Sequence, residues 1–77
     1  MEITTATDRT GFGIRIGDRV KIVAEGDYHG EFGTVVDIIN REIVAGHRFT
    51  DIMIRTDIRV SGYAEILANL PVSVEVV

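Results

Sequence analysis

The chain has 77 residues, 45% hydrophobic and 26% charged, with a formal net charge of -4; this is the balance of one small globular domain and excludes both a second domain and a highly charged, disordered chain. The absence of cysteine excludes disulfides, thiolate nucleophiles, zinc ribbons and iron–sulfur clusters together. No apolar run approaches the roughly 18 residues that a membrane helix needs.

Met1-Glu2-Ile3-Thr4-Thr5 lacks the basic and apolar regions of a signal peptide, so a cytoplasmic location is expected. Residues 1–13 are Thr-rich and end in Gly11-Phe12-Gly13. They read as an arm, with or without a short strand, ahead of a domain over 14–77. Gly17-Asp18 is a turn signal. Arg19-Val20-Lys21-Ile22-Val23-Ala24 follows as a strand, with Val20 and Ile22 on one face and Arg19 and Lys21 on the other. Between Glu25 and Gly33, glycines at 26, 30 and 33 call for positive φ angles or close backbone approach. Thr34-Val35-Val36-Asp37-Ile38-Ile39 is a second strand, apolar on both faces. Such a strand is central, bulged, or covered by a partner.

Asn40-Arg41-Glu42 reads as a turn, and Ile43 to Arg48 as either a strand extension or a loop. The clearest period-two pattern follows. Thr50, Ile52, Ile54, Thr56, Ile58 and Val60 share one parity; Asp51, Met53, Arg55, Asp57 and Arg59 share the other. This predicts either one long bent strand or two strands joined near Thr56-Asp57. Ser61-Gly62 is a further turn. Glu65 to Leu70 is the one stretch suited to a helical turn, stopped by Pro71. Val72-Ser73-Val74-Glu75-Val76 alternates as a last strand. The sum is an all-β small barrel of about five antiparallel strands, with one short helical turn before the last strand. Closing the sheet would remove its exposed edges.

Residues 17–35 resemble a KOW motif, found in SH3-like barrels of transcription elongation factors and ribosomal proteins. The alternating strand is followed by Gly-x-x-x-Gly-x-x-Gly-x-Val, filled here by Gly26, Gly30, Gly33 and Val35. The resemblance covers 19 of the 77 residues and implies an SH3-like barrel. It also implies nucleic-acid (RNA) binding, for which Arg19, Lys21 and Arg48 are the candidate contacts, with Tyr28 and His29 beside them. The motif departs from the pattern by one extra residue near Glu25. KOW loops that bind nucleic acid are usually lysine-rich, whereas this loop carries Glu25, Asp27, His29 and Glu31. With the net charge of -4, long-range attraction to a polyanion is absent. The order strand, loop, Gly-Thr-Val is also similar to other SH3-like barrels, among them a docking subunit of photosystem I and the plasmid-borne dihydrofolate reductase. The active residues of that reductase do not align here, so its activity is not carried over.

Catalytic signatures are lacking. Ser61 and Ser73 lie in no Gly-x-Ser-x-Gly elbow, and no phosphate-loop Gly-x-x-x-x-Gly-Lys occurs. His29 and His47 have no ligand spacing around them, so neither metal nor cofactor is expected. Asp51 and Asp57 are expected to pair with Arg55 and Arg59 on the charged face. The expectation is a non-enzymatic accessory protein that binds protein partners. Tyr28, with its neighbours Asp27 and His29, and Tyr63 would make the contacts, while Phe32 would plug the barrel. A core this small gains from oligomerisation, and the two-sided strand at 35–39 with Val76-Val77 offers apolar surface to cover. A homo-oligomer is therefore expected, most simply a dimer, beside an unknown protein partner.

Overall fold

A computed structural model describes residues 6–77, with side chains at all of these except 41–44, 47, 48 and 60. Seven strands form: β1 (Ala6–Thr7), β2 (Gly13–Ile14), β3 (Arg19–Ile22), β4 (Phe32–Val44), β5 (His47–Val60), β6 (Tyr63–Asn69) and β7 (Val74–Val76). A 3-10 turn over Pro71–Ser73 precedes β7. β1 and β2 pair as a small ribbon, and the other five form one antiparallel sheet in the order β6-β5-β4-β3-β7. The chain is therefore all-β, five antiparallel strands with a helical turn before the last, as its alternation and turn residues predict. No helix among the described residues is long and apolar enough to cross a membrane.

Registers across the sheet explain which side chains meet. One inward row runs Val76–Val20–Gly33–Thr56, another Val35–Ile54–Leu67, and a third Ile38–Ile52–Asn69. Val20, Ile22, Val35, Ile52, Ile54 and Val74 are buried in one cluster, joined by Ala6 and Ile14 from the ribbon. The arm thus belongs to the same core as the barrel. Phe12, in the same segment, stays exposed.

β4 is apolar on two faces because its pairing with β5 shifts between Val35 and Asp37. The extra residue, Val36, flips the parity, so Val35 and Ile38 both turn towards Ile54 and Ile52. Part of the apolar surface that suggested a covering partner is accounted for by this bulge.

Three boundaries differ from the sequence reading. Asn40-Arg41-Glu42 is strand, not turn; β4 continues to Val44, and the hairpin turns at Ala45-Gly46, where Gly46 has φ 84°. The last strand begins at Val74 rather than Val72, because Val72 and Ser73 lie in the 3-10 turn; β5, by contrast, is a single strand, one of the two forms expected, with irregular pairing to β6 between Arg55 and Arg59. Glu65 to Leu70 is not helical: β6 takes residues 63–69, and Pro71 starts the 3-10 turn rather than ending one. Proline suits that first position, where its missing N–H costs nothing.

In the hydrogen-bonding order of the described strands, β6 and β7 stand at the two ends. At β7 the arm covers the edge: Val76 N–H donates to Asp8 Oδ2 at 2.7 Å, and Arg9 N–H donates to Val74 O at 2.9 Å. β6 has no second neighbour among the described residues.

Candidate functional site

Two surfaces stand out, the free edge at β6 and the outer face of the sheet. Along β6 the burial alternates, with Leu67 facing the core and Ile66 and Ala68 facing out. Ile66 is 55% exposed and Leu70, just past the strand, 49%. The side chains outside are apolar, and β6 carries neither lysine nor proline, the residues that ordinarily blunt an open edge. Tyr63, at the start of β6, is 78% exposed, so its expected place on the surface holds.

The loop between β3 and β4 bends as its glycines demand. Gly26 has φ 139° and Gly30 φ 86°. Gly33 meets the other need, close approach: a Cβ there would run into Ile54 Cγ2 and lie 2.8 Å from Arg55 O. Within the loop, Asp27 and His29 are exposed, and His29 Nδ1 lies 3.2 Å from Ala24 O. Tyr28 is different. Its ring is half-buried against the core. Interaction with the Glu65 carboxylate on β6 raises the phenol's pKa above its ordinary value, with burial adding to the effect. Phe32, expected to plug the barrel, is 39% exposed. The burial of the two aromatics is the reverse of what the sequence led one to expect. Phe32 pairs with Lys21 on the outward parity of β4, whereas the loop folds Tyr28 back over the core. Glu65, whose carboxylate acts on Tyr28, lies two positions along β6 from Tyr63.

On the outer face a row runs Arg19–Thr34–Arg55–Ile66 across four strands, next to the shorter row Glu75–Lys21–Phe32. Arg19 makes a two-pronged pair with Asp57, Nη1 to Oδ1 at 2.8 Å and Nη2 to Oδ2 at 2.6 Å. Its Nη1 also donates to Thr34 Oγ1 at 3.2 Å. The pair holds the Asp57 carboxyl below, and the Arg19 guanidinium above, their ordinary pKa values. Asp57 was expected to pair with its strand neighbours Arg55 and Arg59. It reaches instead across β4 to Arg19, 38 positions away in the chain, a partner visible only once the strands are placed side by side. Arg59 Nη1 donates to Gly62 O at 3.3 Å. Arg19, Arg55 and Arg59 line one open cleft of about 610 Å³ with Thr34, Thr56, Asp57 and Ala64.

Arg48 does not join Arg19 and Lys21. It lies seven residues along β5 from Arg55, about 23 Å of strand, and its side chain is outside the described residues. Among the described residues no group of three or more His, Asp or Glu is placed to hold a metal ion.

One buried charge was not singled out by the sequence reading. Asp8 is only 3% exposed, and its carboxylate accepts from Thr10 N–H, Thr10 Oγ1, Phe12 N–H and Val76 N–H. Burial alone would raise its pKa, but these bonds outweigh it and hold the carboxyl at about 2. The Asp-x-Thr-x-Phe spacing fits a local Asx-type turn, which is the signal that was available.

No family model, curated protein or solved structure matches this chain.

Proposed function

We propose that this chain is a non-enzymatic interaction module that pairs through the β6 edge, first of all with a second copy of itself. The observation that supports this is the contrast between the two edges. The arm's Asp8 and Arg9 occupy the hydrogen-bonding groups of β7, while the longer β6 edge is left with its N–H and C=O groups outward and Ile66, Ala68 and Leu70 exposed beside them. An extended partner laid along such an edge gains main-chain hydrogen bonds, and apolar side chains supply the burial. A second β6, antiparallel across a two-fold axis, is self-complementary, since the outward side chains bring no like charges together.

Sedimentation of the intact chain at micromolar concentration tests this. The expected species is twice 8.5 kDa. Ile66→Lys places a charge on the edge and should return the monomer, with the circular dichroism spectrum unchanged. An 8.5 kDa wild-type monomer throughout would overturn the proposal.

A second reading, nucleic-acid binding, is supported by the grouping of Arg19, Lys21, Arg55 and Phe32 on one face. The charge of -4 weighs against it, so binding should be weak and fall steeply with salt. An electrophoretic shift at low and at physiological salt separates the two: tight binding at physiological salt would favour this second reading.

A further inference from the structure

We propose that the cleft between β3, β5 and β6 binds a single dianionic phosphate group, a phosphomonoester or inorganic phosphate, and that Asp57 competes with that ligand for Arg19. Three arginines, Arg19, Arg55 and Arg59, line it against one carboxylate, in a chain that is acidic overall. Guanidinium forks match carboxylate and phosphate oxygens in the same planar, two-pronged way. Asp57 already fills the Arg19 fork in this manner, at 2.8 and 2.6 Å, which shows the geometry such an oxyanion would adopt. The Arg55 guanidinium has no side-chain partner among the described residues. Arg59 spends one nitrogen on Gly62 O at 3.3 Å. Thr34 Oγ1 stands within reach of Arg19, adding a hydroxyl donor to the lining. The cleft is open and local, suited to one phosphate group; Lys21 does not line it. The inference goes beyond pairing at β6 and is read out independently of oligomeric state.

The test is a titration of the full chain with inorganic phosphate and, separately, with a nucleoside monophosphate, followed by amide chemical shifts at low ionic strength. Sodium chloride at matched ionic strength is the control. Saturable shifts are expected around Arg55, Thr56 and Arg59. Arg55→Gln should weaken binding at least fivefold. Asp57→Asn frees Arg19 and should tighten binding at least threefold, an outcome that a purely structural Asp57 would not give. Melting curves confirm that both variants fold, and Arg59→Gln serves as a second loss variant if either does not. Binding of the monophosphate alone would place the source in an organic phosphomonoester; binding of both would place it in the phosphate group itself. Shifts identical to those of chloride, or an Asp57→Asn variant with unchanged affinity, would overturn the proposal. So would binding of a single-stranded oligonucleotide in the absence of any response to phosphate, which would point to an extended polyanion face.

Discussion

Asp8 and Val76 stand 68 positions apart in the chain, yet the carboxylate of one accepts the backbone N–H of the other at 2.7 Å. With Thr10 and Phe12 bound to the second oxygen, a single side chain folds the arm into a turn and fastens it over the β7 edge. The arm is thus both the cover of one edge and part of the core, through Ala6 and Ile14.

Asp8→Asn keeps the size but turns one oxygen into a donor facing another donor. It should cost about 2 kcal/mol, the range for hydrogen bonds to a charged group, measured by urea denaturation at neutral pH. The pH dependence has a definite sign. The folded carboxyl, at about 2, lies below its ordinary value of 3.8, so the stabilisation is complete above the unfolded value and is lost as pH falls through about 2. The gap between wild type and Asp8→Asn should therefore narrow between pH 4 and pH 2. A gap that stays constant over that range would show that the ionised carboxylate is not what holds the arm.

Gly33 illustrates what could and could not be read in advance. The need for a glycine was legible from its spacing, but which of the two causes applied, positive φ or close approach, was not. The backbone angle at Gly33 is one that any residue adopts; the constraint comes from Ile54 and Arg55 on the neighbouring strand. Gly33→Ala should therefore cost about 1–3 kcal/mol by overpacking. Gly26→Ala should instead suffer from its positive φ, with open space around the new methyl. If Ile54→Ala, which removes Cγ2, costs less in the Gly33→Ala background than in the wild type in thermal melts, steric conflict with Ile54 is the cause; additive losses would rule out Ile54 as its source.

The same division runs through the rest of the chain. The alternation at Ile52, Ile54 and Thr56 was legible because one strand face is buried along its length. β6 was misread because Glu65-Ile66-Leu67-Ala68 has good helix formers and no marked alternation. Its strand state comes from pairing with Met53 to Arg55, a long-range contact that overrides local preference. Asn40-Arg41-Glu42 was misread because three polar residues in a row are common in turns, whereas their strand state comes from pairing with Thr50, Phe49 and Arg48 on the neighbouring strand. Among the site residues, Arg19 was legible on the polar face of a strand, but the gathering of Arg19, Arg55 and Arg59 depends on sheet register, which no local pattern carries.

Tyr28 and Phe32 provide a direct comparison. Tyr28→Ala should be the more damaging change, by about 1–3 kcal/mol, because it removes packing against the core. Phe32→Ala, at a position 39% exposed, should cost less. Tyr28→Phe isolates the hydroxyl and should lose less than Tyr28→Ala. Chemical denaturation of the three variants checks the order; a larger loss in Phe32→Ala would restore the sequence-based assignment.

Thr56 answers a gap in the sheet. The β5–β6 ladder passes from Arg55↔Ile66 to Arg59↔Ala64, which spans four residues on one strand and two on the other. Glu65 sits in that interval, and its carbonyl accepts from Thr56 Oγ1 at 3.0 Å. Thr56 is itself buried, at 2% exposure, so this side-chain bond stands where the regular ladder is interrupted. Thr56→Val preserves the shape while leaving the Glu65 carbonyl without that donor, and should cost about 1–2 kcal/mol. Thr56→Ser keeps the hydroxyl and should retain most of the bond's contribution. Amide exchange offers the sharper readout: in Thr56→Val protection should fall first at Ile66 and Leu67, ahead of β3 and β4, because the irregular junction is where β6 is held. Uniform loss across the sheet would mean that Thr56 acts only through global packing and that the junction needs no hydroxyl.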